Sequence, residues 1–110
     1  MPNRETPAEL AEWMEDRAEI LVKAAHRIKA NSETREGQEA GDWLLTLLRD
    51  LASVEKVANR AVLLLTAYAL RSGSATQTDV AKASEVTTTA AGNRSGSKTA
   101  REAWQEVWPE

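Results

Sequence analysis

Apolar residues along this chain recur at steps of three and four, and no stretch alternates between apolar and polar as a strand does. The first such segment begins at Thr6, which with Pro7 at the first helical position and Glu9 three residues after the cap predicts a helix start. We expect this helix to run to about Ala30. One apolar stripe follows it, made of Leu10, Trp13, Met14, Ala18, Leu21, Ala25 and Ile28. Such a stripe needs a partner, either the rest of the chain or a second copy.

A polar connector and two further helices are predicted in the middle of the chain. Residues 31–41 contain two Gly and no apolar residue larger than Ala, which is typical of a connecting segment. We expect Asp42 to cap a helix at 43–52 and Ser53 to cap a new, long helix at 54–70. Apolar residues surround the long helix so widely that little of it is expected to face water. It is the predicted central core helix.

Three short helices are predicted in the last third of the chain. We expect them at 77–84, 87–93 and 98–108, with a tight turn between the first two and Ser97 as the cap of the last. The whole pattern therefore predicts an all-α fold, a compact multi-helix domain of about six helices with an amphipathic N-terminal helix.

Composition narrows the class of protein. A chain of 110 residues has room for one modest core. The absence of Cys excludes a disulfide scaffold, thiol catalysis and a thiolate metal site. No apolar run approaches the ~18 residues that a membrane span requires, so we expect a cytoplasmic protein without a membrane partner.

The charges are unevenly distributed. The formal net charge is −3, but residues 1–70 hold 9 Lys and Arg against 12 Asp and Glu, whereas residues 71–110 hold 5 against 5. Within the second part, residues 86–101 contain three basic residues and no acidic one. A local basic patch is therefore expected despite the acidic total.

The run TDVAKA at 78–83, followed by VTTT at 86–89, resembles the helix-turn-helix of bacterial and phage transcriptional regulators. In that family an aliphatic residue and a small Ala lie where the first helix presses against the second, and Val80 and Ala81 match those positions. Val86 matches the aliphatic residue of the turn, and Thr87 the hydroxyl residue that opens the recognition helix. The resemblance covers about 20 residues and points to no particular subfamily.

The resemblance implies a sequence-specific partner, double-stranded DNA, read in the major groove. The side chains expected to read bases are Thr88, Thr89, Asn93 and Arg94. Those expected to bind phosphates are Thr76, Gln77, Thr87, Ser97, Lys98 and Arg101. We accordingly interpret residues 42–110 as a helix-turn-helix DNA-binding domain of a transcriptional regulator, a repressor.

A homodimer is expected because one helix-turn-helix contacts only a few base pairs. Residues 1–41, the first helix and connector, are the candidate dimerisation element, with a contact face of Leu10, Trp13, Met14, Leu21 and Ile28. The alternative is that this stripe covers Trp43 and the face around Leu64 within the same chain.

One other class of function stays open, a helical protein-interaction module, antitoxin-like or an adaptor subunit, that does not bind DNA. An enzyme is not expected, because His26 is the only His and no acid, base and nucleophile come together. The sequence at 92–99 approaches a phosphate-binding loop, but Ser97 stands where its second Gly is required. No metal or cofactor is expected, and the pattern says nothing of the operator or of a small-molecule effector.

Overall fold

Five α-helices make up the chain in the computed structural model, which describes residues 6–34 and 36–109. They are α1 Pro7–Asn31, α2 Ala40–Arg71, α3 Gln77–Ser84, α4 Thr88–Ser95 and α5 Lys98–Val107. No strand occurs in the described ranges, so the predicted all-α, multi-helix fold is confirmed. Residues 1–5, 35 and 110, which the predicted segments 1–41 and 42–110 include, lie outside the described residues.

The predicted helix boundary at Ser53 is wrong, because α2 continues through it as one helix of 32 residues. Ser53 is exposed in the middle of α2, where a Ser costs only a few tenths of a kcal/mol relative to a good helix former. The apolar face toward α1 keeps its phase across this point, with Leu47 before it and Val54 and Val57 after it half-buried. Packing of that face outweighs the local preference of Ser for a cap.

The connector is shorter than predicted and covers residues 32–39. Gly37 has a φ of +80°, a conformation that is open to Gly and strained for most other residues. The N-cap of α2 is Glu39, and the predicted cap Asp42 instead lies in the first helical turn, where its charge favours the positive end of the helix dipole. The indole N–H of Trp43 donates to the Asn31 carbonyl at 2.9 Å and closes the hairpin between α1 and α2.

The core lies where the first half of α1, the second half of α2 and α5 meet. Leu10 and Trp13 pack there against Leu64, which is fully buried, and against Trp108. Tyr68 stacks on Trp108 with ring centroids 5.1 Å apart. α2 therefore contributes its last third to the core, as predicted for the central helix, but two of its apolar side chains in that region, at 62 and 65, remain exposed.

The far half of the hairpin projects from this core as an arm, which we define as residues 18–57. Among the residues of the arm that the structure describes, only Ala24 is buried; α1 and α2 run antiparallel there and are joined by the ion pair of Arg27 with Asp50. The described chain measures 62 × 29 × 20 Å, and its radius of gyration is 17.4 Å. A globular chain of this length has a radius of gyration of about 13 Å. The arm accounts for the difference. No helix in the described ranges combines the length and the apolar character needed to cross a membrane.

Candidate functional site

α3 starts with a complete capping box. The Thr76 hydroxyl accepts from the backbone N–H of Asp79 at 3.1 Å, and the Asp79 carboxylate accepts from the backbone N–H of Thr76 at 3.3 Å. Two N–H groups that the helix itself leaves unpaired are thereby satisfied. The start of α3 is therefore determined by two residues three positions apart in the sequence.

A tight turn joins α3 to α4, and Glu85 makes it possible by adopting the left-handed conformation, with φ 57° and ψ 42°. The backbone N–H of Val86 then donates to the Ala81 carbonyl at 3.0 Å, which ends α3 and reverses the chain. Left-handed backbone is strained for a residue with a Cβ, and Gly is common at such positions. The turn therefore forms although it carries Glu.

The two short helices share a small apolar core of their own. Val80 and Ala81 of α3 are buried against Ala91 of α4, which is fully buried. Val86 from the turn and Leu70 from the end of α2 pack against the same cluster. The positions that the sequence assigned to contact between the helices are thus in contact, and the pair is seated on the C-terminal end of α2.

Gln77 ties the two helices together across their N-terminal ends. Its side-chain N–H donates to the Thr88 carbonyl at 2.6 Å. The same amide passes over Gly92 so closely that a Cβ built at Gly92 would lie 2.6 Å from it. The phosphate role of Gln77 stays a prediction; one N–H of its amide is engaged within the chain, where it joins α3 to α4.

The outer surface of α4 carries most of the side chains predicted to read bases. Thr88, Thr89 and Asn93 are exposed, and Arg94 is half-buried. Thr87 is the N-cap, and its hydroxyl accepts from the backbone N–H of Ala90 at 3.0 Å. The helix therefore turns a buried Ala toward α3 and presents hydroxyl and amide groups on the opposite side.

Basic side chains continue from α4 onto α5. Ser97 caps α5 by accepting from the backbone N–H of Ala100 at 3.1 Å, while Lys98 and Arg101 extend from its first turn and are exposed. Neither these two nor Arg94 forms an ion pair with any residue that the structure describes. A capping hydroxyl keeps its own O–H as a donor, so the predicted phosphate-binding role of the caps is chemically open.

The chain was also expected to offer a dimer face on α1, and most of that face is occupied by the chain itself. Leu10 and Trp13 are buried in the core shared with α2 and α5, and Met14 packs against it. Leu21 and Ile28 are half-buried, and α2 is the main helix packed on α1. The assignment of Leu10 and Trp13 to a dimer contact is therefore wrong, because these two side chains are buried within one chain. The assignment of half-buried Met14, Leu21 and Ile28 stays a prediction.

Glu106 of α5 bonds to side chains of both α1 and α2, which the sequence analysis did not predict. Its carboxylate accepts from the Trp13 indole N–H at 2.9 Å and pairs with Arg17 of α1 and, at 2.8 Å, with Arg60 of α2. The Trp13 hydrogen bond and the two guanidinium groups lower the pKa of Glu106, against an opposing effect of partial burial. Its partners lie at least 46 positions away, so no local pattern could indicate it.

Among the described residues, no group of three or more His, Cys, Asp or Glu side chains could hold a metal ion. Comparison of the chain with protein-family models, with curated proteins and with solved structures gave no match.

Proposed function

We propose that this protein binds double-stranded DNA in a sequence-specific manner and acts as a transcriptional regulator, a repressor, with α4 entering the major groove. The observation that carries the proposal is the polar outer surface of α4, held out by a helix pair whose inner surface is buried. Thr88, Thr89 and Asn93 are exposed on it. Thr offers a hydroxyl and a methyl to base edges, and Asn can pair with adenine through two hydrogen bonds.

The distribution of charge supports the same surface. Lys98 and Arg101 flank α4 in a stretch, 86–101, that contains no acidic residue. They form no ion pair with described residues and so stay available for phosphates. Three helix starts, those of α3, α4 and α5, lie in the same part of the chain, and N-terminal N–H groups are favourable ligands for phosphate oxygens. The contacts to the DNA backbone, which position the protein, and the contacts that read the bases would thus come from adjacent helices.

Selection from a random pool of duplexes, followed by fluorescence anisotropy on the selected duplex, tests the proposal. Thr89→Ala and Asn93→Ala are each expected to lose about 1–3 kcal/mol of discrimination between the selected duplex and one altered at a single base pair. Thr34→Ala, an exposed Thr in the connector, is the matched control and is expected to bind like the parent. Failure to enrich any duplex would contradict sequence-specific binding.

The phosphate contacts are tested by salt dependence. Lys98→Ala and Arg101→Ala are each expected to reduce the slope of log K against log salt by about one, and to weaken all duplexes alike. Lys23→Ala removes an exposed Lys from α1 and is expected to leave the slope unchanged. Equal slopes of log K against log salt in the Lys98 and Lys23 variants would indicate that DNA does not bind at Lys98.

A second candidate function is a helical protein-interaction module without DNA binding. The observation in its favour is the row of exposed Leu side chains on α2, at 44, 45, 48 and 51, each with half or more of its surface accessible. Apolar patches of that kind mark interaction sites. This candidate requires that the parent chain binds no duplex at low salt, whereas DNA binding requires affinity that falls steeply as salt rises.

A further inference from the structure

The outward face of α2 carries a largely apolar row whose large side chains the rest of the described chain leaves exposed. Its members follow one another at alternating steps of three and four, and we name them the α2 row. They are Leu44, Leu48, Leu51, Glu55, Ala58, Val62, Leu65 and Ala69. The large residues in it are 36% to 61% exposed. This spacing is the seven-residue period by which one helix packs along another.

One end of the α2 row lines a groove. A cavity of about 430 Å³ opens between α2 and α3, and Val62, Leu65 and Ala69 form its α2 wall. Val80 and Ala83 of α3 lie on the other side, so the lining is largely apolar. Apolar cavities of about 150 Å³ already hold benzene, so this groove has room for two or three aliphatic side chains.

The other end of the α2 row supplies side chains of the required kind. Leu44 and Leu48 lie on the arm and are 55% and 61% exposed. Groove and protruding leucines are therefore at opposite ends of one helix face. The two ends are about 32 Å apart along α2, from Leu44 to Leu65. Because the separation is this large, the leucines cannot enter the groove of their own chain.

We propose that a second copy of this chain occupies the α2 row, with the two α2 helices antiparallel, so that the arm of each copy enters the groove of the other. This arrangement places Leu48 opposite Leu65 of the second copy, and Leu51 opposite Val62 of the second copy. A two-fold axis repeats each contact, as in most homodimers.

The one charged residue of the α2 row selects the direction. In a parallel pair, each Glu55 would face the same residue of the second copy in the seam, and two carboxylates would be brought together away from water. In the antiparallel pair, Glu55 lies opposite Ala58 of the second copy, and the carboxylate can remain at the solvent edge. Glu55 forms no ion pair with any described residue. No ion pair among the described residues of one chain therefore explains why the charged Glu55 lies in a largely apolar row.

Sedimentation equilibrium of the full chain without DNA tests the proposal. The parent is expected at about twice its chain mass of 12.1 kDa. Leu48→Glu is expected to weaken the dimer at least about ten-fold, because it affects two symmetric contacts. Val22→Glu is the matched control, since Val22 of α1 is similarly exposed at 52% and lies outside the α2 row. Circular dichroism verifies that both variants remain helical.

A monomeric parent at several hundred micromolar, or equal effects of the Leu48 and Val22 variants, would overturn the proposal. Ala83→Glu tests the groove separately: this exposed α3 residue is remote from the arm, and the change is expected to weaken the dimer as well. An unaltered dimer in this variant would show that the second copy does not enter the groove.

Direction is tested by disulfide formation, for which the absence of Cys provides a clean background. The double variant Leu51→Cys with Val62→Cys is expected to cross-link on oxidation, and Leu51→Cys alone is not. Cross-linking of the single variant would indicate parallel helices and overturn the arrangement. All these measurements are made without DNA, so failure here leaves the proposed DNA binding to its own tests.

Discussion

Glu85 is under the tightest backbone constraint in the candidate site. With φ at 57°, it is the one non-Gly residue with positive φ in the described chain. For a residue with a Cβ this conformation costs roughly 1–2 kcal/mol. The turn retains it because the adjoining N–H of Val86 is bonded to Ala81 and the Val86 side chain is packed in the small core. Packing on both sides of one residue therefore maintains a locally unfavourable geometry.

Replacing Glu85 by Gly is expected to stabilise the protein by about 0.5–1 kcal/mol, the relief of strain less the greater freedom of Gly in the unfolded chain. Urea unfolding followed by circular dichroism measures the change. Lys82→Gly, three residues earlier in helical backbone, is the control and is expected to destabilise by about 1 kcal/mol. If both variants lose stability alike, the left-handed strain at Glu85 is not significant.

At the scale of elements, α3 and α4 are held in register by one side chain as well as by their core. The bond from Gln77 to the Thr88 carbonyl crosses directly over Gly92. A Gly within a helix costs about 1 kcal/mol relative to Ala. The absence of a Cβ at this position is what allows the Gln77 amide to reach α4.

Gly92→Ala is therefore expected to be nearly neutral by itself. It gains about 1 kcal/mol of helix propensity but displaces the Gln77 amide, whose hydrogen bond contributes about 0.5–1.5 kcal/mol. In a Gln77→Ala background the same substitution is expected to stabilise by about 1 kcal/mol, which a double-mutant cycle in urea measures. Gly41→Ala, where a Cβ meets nothing within 4 Å, is expected to have the same effect in both backgrounds.

At the scale of the whole molecule, the Glu106 carboxylate joins three helices. It connects Trp13 and Arg17 of α1 and Arg60 of α2 to α5. Because its pKa is lowered in the folded state, its contribution to stability is present above the unfolded pKa, about 4.3, and is lost as pH falls through the lower folded value. α5 is thus coupled to the hairpin by a carboxylate that loses its negative charge at acid pH.

Glu106→Gln is expected to lower the melting temperature at pH 7 by about 4 °C, corresponding to about 1 kcal/mol, because the carboxylate is partly exposed and its ion pairs are screened by solvent. The difference from the parent is expected to shrink as pH falls below the unfolded pKa and to close below the lower folded pKa, where the parent carboxylate is protonated too. Glu102→Gln changes the same charge at an exposed position of α5 and serves as the control. A difference that persists unchanged at low pH would exclude the titration of Glu106 as its cause.

The two proposals involve separations of the same order at this scale. In the antiparallel dimer the C-terminal ends of the two α2 helices, where each α3–α4 pair is seated, are about 44 Å apart. Successive turns of the major groove are about 34 Å apart, a separation of the same order. The dimer would therefore hold its two α4 helices at opposite ends.

The sequence by itself determined the helical class and the starts of the short helices. Thr76, Thr87 and Ser97 each bond to a backbone N–H three residues later, so the pattern that produces the cap is contained in four residues. The contact of Val80 and Ala81 with the second helix was implied by the resemblance to the helix-turn-helix family, in which an aliphatic residue and a small Ala lie at the contact between the two helices.

Only the tertiary structure decided which apolar faces are covered. The same helical spacing describes the stripe on α1, whose Leu10 and Trp13 are buried, and the α2 row, whose Leu48 is 61% exposed. Burial depends on which helix lies over which face, and so does the continuity of α2 through Ser53. The partners of Glu106 and the crossing of Gln77 over Gly92 are contacts between distant residues. The periodicity of the sequence shows which residues share a helix face, whereas the packing between helices determines which of those faces are buried.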